Sequence, residues 1–184
     1  MIPSMATINL TGYQIKMSDQ FFFDTNVWLL LFGTVANYQK ADQASYSNLL
    51  QDLIRRDKPI YITSMILSEF ANVLLRHDFK QWVTTNGLIN QDFKRDFVGT
   101  IDYQNSVLTI KQLISSILNI PNIVKVSDSF HNTDTTTILG NFGIVDFNDS
   151  YITQLSNLNS YKVVTNDRDF QKLGAIIDIL TTQI

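Results

Sequence analysis

Hydrophobic positions along this chain fall into short unbroken runs separated by longer stretches with helical spacing. The runs are Gln20–Phe23 (QFFF), Lys58–Thr63 (KPIYIT), Asn122–Val126 (NIVKV), Tyr161–Thr165 (YKVVT) and Ala175–Leu180 (AIIDIL). Each is too short for a helix and is bounded by polar residues, the pattern of strands buried on both faces. Between the first two, Tyr46, Leu49, Leu50, Leu53 and Ile54 recur at three- and four-residue spacing, which predicts an amphipathic helix. A second helix is predicted over SMILSEFANVLLR, with Ser64 as its N-cap. Residues 78–120 read as largely helical, with turns near Thr85–Gly87 and Gly99. A polar, irregular segment around Ser127–Thr137 precedes a helix near Asn148–Leu158. Residues 5–16 (MATINLTGYQIK) predict a short strand, or a hairpin around Thr11-Gly12.

Strands that alternate with helices pair in parallel and are covered on both faces, so the expected class is α/β with a central parallel sheet. No repeat, low-complexity tract or Pro/Gly-rich linker interrupts the 184 residues, which read as one domain. Such sheets bind ligands outside the carboxyl ends of their strands, and that is where chemistry-bearing residues are sought.

Composition narrows the chemistry. A 45% hydrophobic content with 17% charge belongs to a folded domain rather than a disordered chain. No apolar run approaches the ~20 residues of a membrane span. The start MIPSMATINL lacks a basic stretch leading into a long apolar one. A cytoplasmic protein without membrane contact is therefore expected. The absence of cysteine excludes disulfides, thiolate zinc sites and cysteine nucleophiles, and His77 and His131 are too few for a histidine-rich metal site. Carboxylates, hydroxyls and amides remain. The net charge of −3 alone argues against a broad polyanion footprint, although an acidic centre offset by a local basic rim gives the same total.

Asp24 interrupts the apolar stretch QFFFDTNVWLLLFG. An unpaired carboxylate in such a setting costs roughly several kcal/mol unless a partner or a cation neutralises it. Asp24 directly follows the first strand, and Asp167 follows Tyr161–Thr165 by two residues, so both are expected at the carboxyl edge of the sheet. Glu69 is the single glutamate among seventeen acids, three residues after Ile66 and four before Val73, on the stripe expected to face the sheet. Asp149 stands near a helix start with Asn148 as a possible cap, and Asp146 is a possible peripheral ligand. Asn26 is placed to orient Asp24, and Thr165 to orient an acid or a bound water. Were the four acids to converge, their repulsion would raise their pKa values. A hard cation relieves it, and an oxygen-only donor set selects Mg²⁺ or Mn²⁺.

At these residues the chain resembles the PIN domain family of metal-dependent ribonucleases. FFFDTNVWLL, ITSMILSEF, FNDSYI and VVTNDRDF match its four acidic motifs in order, within a core of about residues 20–181. The resemblance implies a three-layer α/β/α fold and Asp24, Glu69, Asp149 and Asp167 as ligands of a divalent ion that serves endonucleolytic RNA cleavage. In size and layout the chain looks similar to the toxins of bacterial toxin–antitoxin pairs, of the VapC type. That likeness implies a homodimer and an inhibitory antitoxin protein. It differs from compact toxins by the helical elaboration over about 78–120, and by SYITQLSNLNS where they often carry an alanine-rich helix.

RNA contact requires cations and stacking surfaces. Arg76 and Lys80 beyond Glu69, Lys94-Arg95, and Arg168 beside Asp167 are candidates, with Phe79, Trp82, Phe93 and Phe170 as aromatic neighbours. Two rival functions fit parts of the same pattern. One is a non-catalytic PIN-like module that binds RNA or protein. The other is a haloacid-dehalogenase-like phosphatase, for which FFFDTN supplies the nucleophilic aspartate but offers Asn26 where the general acid belongs.

Overall fold

The three phenylalanines Phe21–Phe23 have no solvent exposure and form the strand around which the rest is arranged. The computed structural model describes residues 6–33, 40–173 and 176–184. In chain order its elements are β1 (Thr7–Asn9), β2 (Phe21–Phe23), α1 (Thr25–Phe32), α2 (Lys40–Arg55), β3 (Ile60–Ile62), α3 (Ser64–Thr85) and α4 (Ile101–Leu118). They continue with β4 (Ile123–Lys125), α5 (Thr135–Asn141), α6 (Phe147–Asn159), β5 (Lys162–Val164) and β6 (Ile179–Thr181). A wide helical turn, Phe93–Phe97, joins α3 to α4, and short 3₁₀ turns span Phe130–Asn132 and Asp169–Leu173.

The six strands form one sheet in the order β1-β6-β5-β2-β3-β4, and every pairing is parallel. From β2 the chain steps outward through β3 to β4, then crosses back to β5 on the other side of β2. That reversal makes the carboxyl edge around β2 the topological switch point, where an open α/β sheet leaves a crevice. Phe23 pairs with Val164, so Asp24 and Thr165 stand side by side beyond the strands, and Asp24 N–H donates to Val164 O at 3.0 Å. Helices flank the sheet to complete the expected α/β/α arrangement. No described helix is long and apolar enough to cross a membrane.

Several expectations are corrected. Residues 7–9 are no hairpin arm: Thr7, Ile8 and Asn9 pair in parallel with Ile179, Leu180 and Thr181, far along the chain. The last strand is Ile179–Thr181, later than its apolar run predicted, and Ala175 lies outside the described residues. The cap position of α3 belongs to Thr63, while Ser64 is its first, exposed residue. Buried Ile66, Phe70 and Leu74 form the inward stripe of α3, whereas Val73 is solvent-facing, so Glu69 stands at the margin of that stripe. Ile54 turns outward at the end of α2, although Tyr46, Leu49, Leu50 and Leu53 are buried as their spacing predicts.

The elaboration over about 78–120 is a long helical hairpin. Phe79, Trp82, Phe93, Phe97 and Tyr103 fill the space between its arms, with ring centroids 5.3–6.5 Å apart. Such edge and tilted contacts add about 0.5–1.5 kcal/mol each beyond area burial. Phe79, Trp82 and Phe93 are thus half-buried against one another, and Phe170 is fully buried, so none of these rings stands free as a stacking surface.

Candidate functional site

Asp24 directly follows β2 and N-caps α1, its Oδ1 accepting from Thr25 N–H at 2.7 Å. The sequence reads as an exposed Asp-Thr-Asn turn here, but Asp24 and Thr25 are only 3% and 2% exposed. The apolar strand and helix on either side draw the turn into the core. The second carboxylate oxygen of Asp24 accepts from the Thr165 hydroxyl at 2.9 Å, and that hydroxyl in turn accepts from Asp167 N–H at 2.9 Å. One threonine therefore ties the end of β2 to the loop after β5.

The other acids are held by amides and hydroxyls. Glu69 Oε2 accepts from the Thr25 hydroxyl at 3.0 Å and from Asn148 Nδ2 at 3.3 Å. Asn26 Nδ2 donates to Asp167 Oδ2 at 3.3 Å, not to Asp24 as its sequence position predicts, because α1 turns it toward the β5 loop. With its amide spent there, Asn26 offers no acid at the position where a dehalogenase-like phosphatase needs one. Asp167 Oδ1 accepts from Asp169 N–H at 2.8 Å. Asp146, rather than Asn148, caps α6 through Asp149 N–H at 2.8 Å. Freed from capping, Asn148 reaches across to Glu69. Thr25 and Asn148 are positioning residues that sequence reasoning left without this role. Adjacency to Asp24 and Asp149 was their only signal.

Electrostatics register the convergence. The Asp24 carboxyl is pushed up from 3.8 to about 7, first by burial and then by Glu69 and Asp167, while the hydrogen bonds from Thr165 and Thr25 pull it back. Asp149 is pushed up to about 8, again mainly by burial, with Asp24, Asp146, Asp167 and Glu69 all adding repulsion. Four acids from four separate segments thus share one field at the switch point. Among the described residues no three acid or histidine side chains stand in ready-made ligand geometry. An oxygen-only set held slightly apart suits a hard cation that retains part of its water shell.

A chain of VapBC2 from Rickettsia felis, crystallised with a DNA fragment from its promoter, matches at TM-score 0.51 and 15% identity, over 88% of this chain and 97% of that one. The fold is PIN-like. PAE2754 from Pyrobaculum aerophilum is also similar, at TM-score 0.49 and 13% identity over 98% and 94% of the two chains. No family model matches the sequence, and no curated protein does. At these identities the likeness to VapBC2 is one of fold, and what the PIN-like edge does must be argued from its side chains.

Beyond the acids, the cationic candidates are differently placed. The exposed Arg168 donates to Gln183 Oε1 at 3.2 Å. Arg76 lies over the Phe93 ring, 4.1 Å from its centroid, and Lys80 is exposed one turn further along α3. Arg95 pairs with Asp96 in the turn before α4.

Proposed function

We propose that this protein is a metal-dependent endoribonuclease whose centre is Asp24, Glu69, Asp149 and Asp167, with Mg²⁺ or Mn²⁺ as the cofactor. The observation that carries the reading is the convergence of these acids at the switch point of a PIN-like sheet, where Thr165 links Asp24 to the Asp167 backbone and Thr25 and Asn148 hold Glu69. Asp24 is pushed up by burial, Glu69 and Asp167, and Asp149 by burial, Asp24, Asp146, Asp167 and Glu69. Structural ion-pair networks shift pKa values too, but here the shifts come from burial and like charges, the condition a divalent cation relieves. When bound, the ion supplies Lewis acidity toward phosphate oxygens and lowers the pKa of a water ligand. The protein's part is orientation. Thr165 fixes Asp24 and the Asp167 backbone, Thr25 and Asn148 fix Glu69, and Asn26 fixes Asp167. Without a cation, the Asp24 and Asp149 carboxyls hold protons near neutral pH, and these residues would hold a divalent cation only in their ionised form.

The wider reading follows the fold. The protein acts on RNA in the cytoplasm, as a homodimer, and is the toxin of a toxin–antitoxin pair whose antitoxin covers the acidic edge. Support for this comes from the fold shared with a VapBC2 chain and from the acids kept at every motif position. The deciding experiment incubates purified protein with mixed RNA. Cleavage is expected with Mg²⁺ or Mn²⁺, is stopped by chelator, and is lost in Asp24→Asn with the fold retained. Metal-independent RNA binding without cleavage would overturn the enzymatic reading in favour of a binding module.

A further inference from the structure

Thr63 brings to the acidic edge a buried hydroxyl that no described contact uses. The residue is 1% exposed, and its Oγ1 has no hydrogen-bond partner. It holds the N-cap position of α3 yet accepts from none of that helix's amides. Thr100, the same residue type in the same position on α4, accepts from Tyr103 N–H at 3.1 Å. A hydroxyl drawn into the interior gives up its bonds to water, so one left unpaired there calls for a partner.

Strand register says which group is near. Phe22 pairs with Tyr61 between β2 and β3, and both rings stack on Tyr161, so they share one face of the sheet. Side chains return to the same face two residues further on, which sets Asp24 and Thr63 beside each other. Both have extended backbones, so the alternation carries past the strand ends. Thr165 occupies the matching position on the other flank, and its hydroxyl donates to Asp24 Oδ2 at 2.9 Å. Asp24 thus stands between two buried threonines, one bonded to it and one not.

We propose that Thr63 is a positioning residue of the cation centre. When Asp24 serves as a ligand, the Thr63 hydroxyl turns about χ1 and donates to its carboxylate, matching Thr165 on the opposite flank. The proposal rests on the cation-centre reading of the four acids and extends their support to β3. An ionised carboxylate offers about four lone-pair sites. Thr25 N–H and the Thr165 hydroxyl take two of them. A divalent ion takes a third, which leaves one for Thr63. Because Thr63 also opens α3, the same residue joins the Asp24 flank to the helix that carries Glu69.

The test is calorimetric titration of Mn²⁺ into chelator-stripped protein, with urea unfolding of the metal-free protein alongside. Thr63→Val removes the hydroxyl at nearly constant shape, Thr63→Ala removes it with the methyl, and Thr63→Ser keeps it. Both hydroxyl-free variants should weaken Mn²⁺ binding about tenfold or more, while Thr63→Ser stays within about twofold of wild type. Thr63→Val should leave the metal-free urea midpoint unchanged or raised, because an unpaired hydroxyl has left the interior. Ser156→Ala is the control. It too removes a buried, unpaired hydroxyl, but from α6, seven residues beyond Asp149, and should leave Mn²⁺ affinity unchanged. Wild-type affinity in Thr63→Val overturns the proposal. So does an equal loss in Thr63→Ser or in Ser156→Ala, or a fall in the metal-free midpoint of Thr63→Val, since each marks a packing role. Saturable binding by wild type that Thr63→Val matches sinks the role of Thr63 alone, whereas no saturable binding by wild type sinks the cation-centre reading and this proposal with it.

Discussion

Asp24→Asn is expected to make the metal-free protein more stable at neutral pH while abolishing the proposed RNA cleavage. Asp24 is 3% exposed, and its carboxyl is pushed up from 3.8 to about 7 in the fold. Each unit between the unfolded and folded values is worth about 1.4 kcal/mol, so ionising this group costs the native state about 4 kcal/mol. The sign follows from proton counting. Below about pH 4 both states are protonated and no penalty exists. As pH rises toward 7 the unfolded chain releases the proton while the fold retains it, and stability falls. Above about 7 the penalty is constant. Asparagine never ionises. Its carbonyl still accepts from Thr25 N–H, and the Thr165 hydroxyl turns to accept from its amide. The variant should therefore exceed the wild type by about 4 kcal/mol at pH 8 and by only about 1.5 kcal/mol at pH 5. At roughly 2–4 °C per kcal/mol for a chain of this size, the gain in Tm at pH 8 is roughly 8–16 °C. Urea and thermal unfolding in chelator at the two pH values measure it. A variant no more stable than wild type at pH 8, or a gain that does not change with pH, would refute the reasoning.

Two further substitutions probe the supports. Thr165→Val removes the donor to Asp24 and the acceptor of Asp167 N–H, both in a fully buried position. It should cost about 1–3 kcal/mol in urea unfolding, and should move the Asp24 ionisation further up because the lost hydrogen bond had held it down. Tyr46, fully buried on α2, donates to Thr165 O at 2.6 Å and accepts from Thr182 N–H at 3.2 Å. Tyr46→Phe should cost about 1–2 kcal/mol and speed amide exchange at Asp167, whereas unchanged exchange there would show that the tyrosine does not hold that loop.

The parts of the molecule that were legible in the sequence are those set by local pattern. Phe21–Phe23, Ile60–Ile62 and Lys162–Val164 fall inside their apolar runs, and the turns near Gly87 and Gly99 coincide with positive backbone φ at both glycines. Acids directly after such strands could be placed because strand ends face one edge. What escaped the sequence depends on partners far along the chain. β1 is a strand because it meets β6, with Thr7 opposite Ile179, and nothing within residues 5–16 specifies that partner. Choosing between Asp146 and Asn148 as the cap of α6 needed the position of Glu69, which claims the asparagine amide. Asn26 sits two residues from Asp24 yet serves Asp167, because helical geometry, not sequence proximity, aims its amide.

The central claim is that Asp24, Glu69, Asp149 and Asp167 act as one cation-binding unit. Calorimetric titration of Mn²⁺ into chelator-stripped protein at pH 7, repeated in buffers of different ionisation enthalpy, tests it most directly. With carboxyls that titrate near 7 and 8, saturable binding should expel about one to two protons per ion. Asp24→Asn should lower that number and weaken affinity at least about tenfold, the equivalent of ~1.4 kcal/mol. Absence of saturable binding, or the same affinity and proton count in Asp24→Asn, would contradict the account.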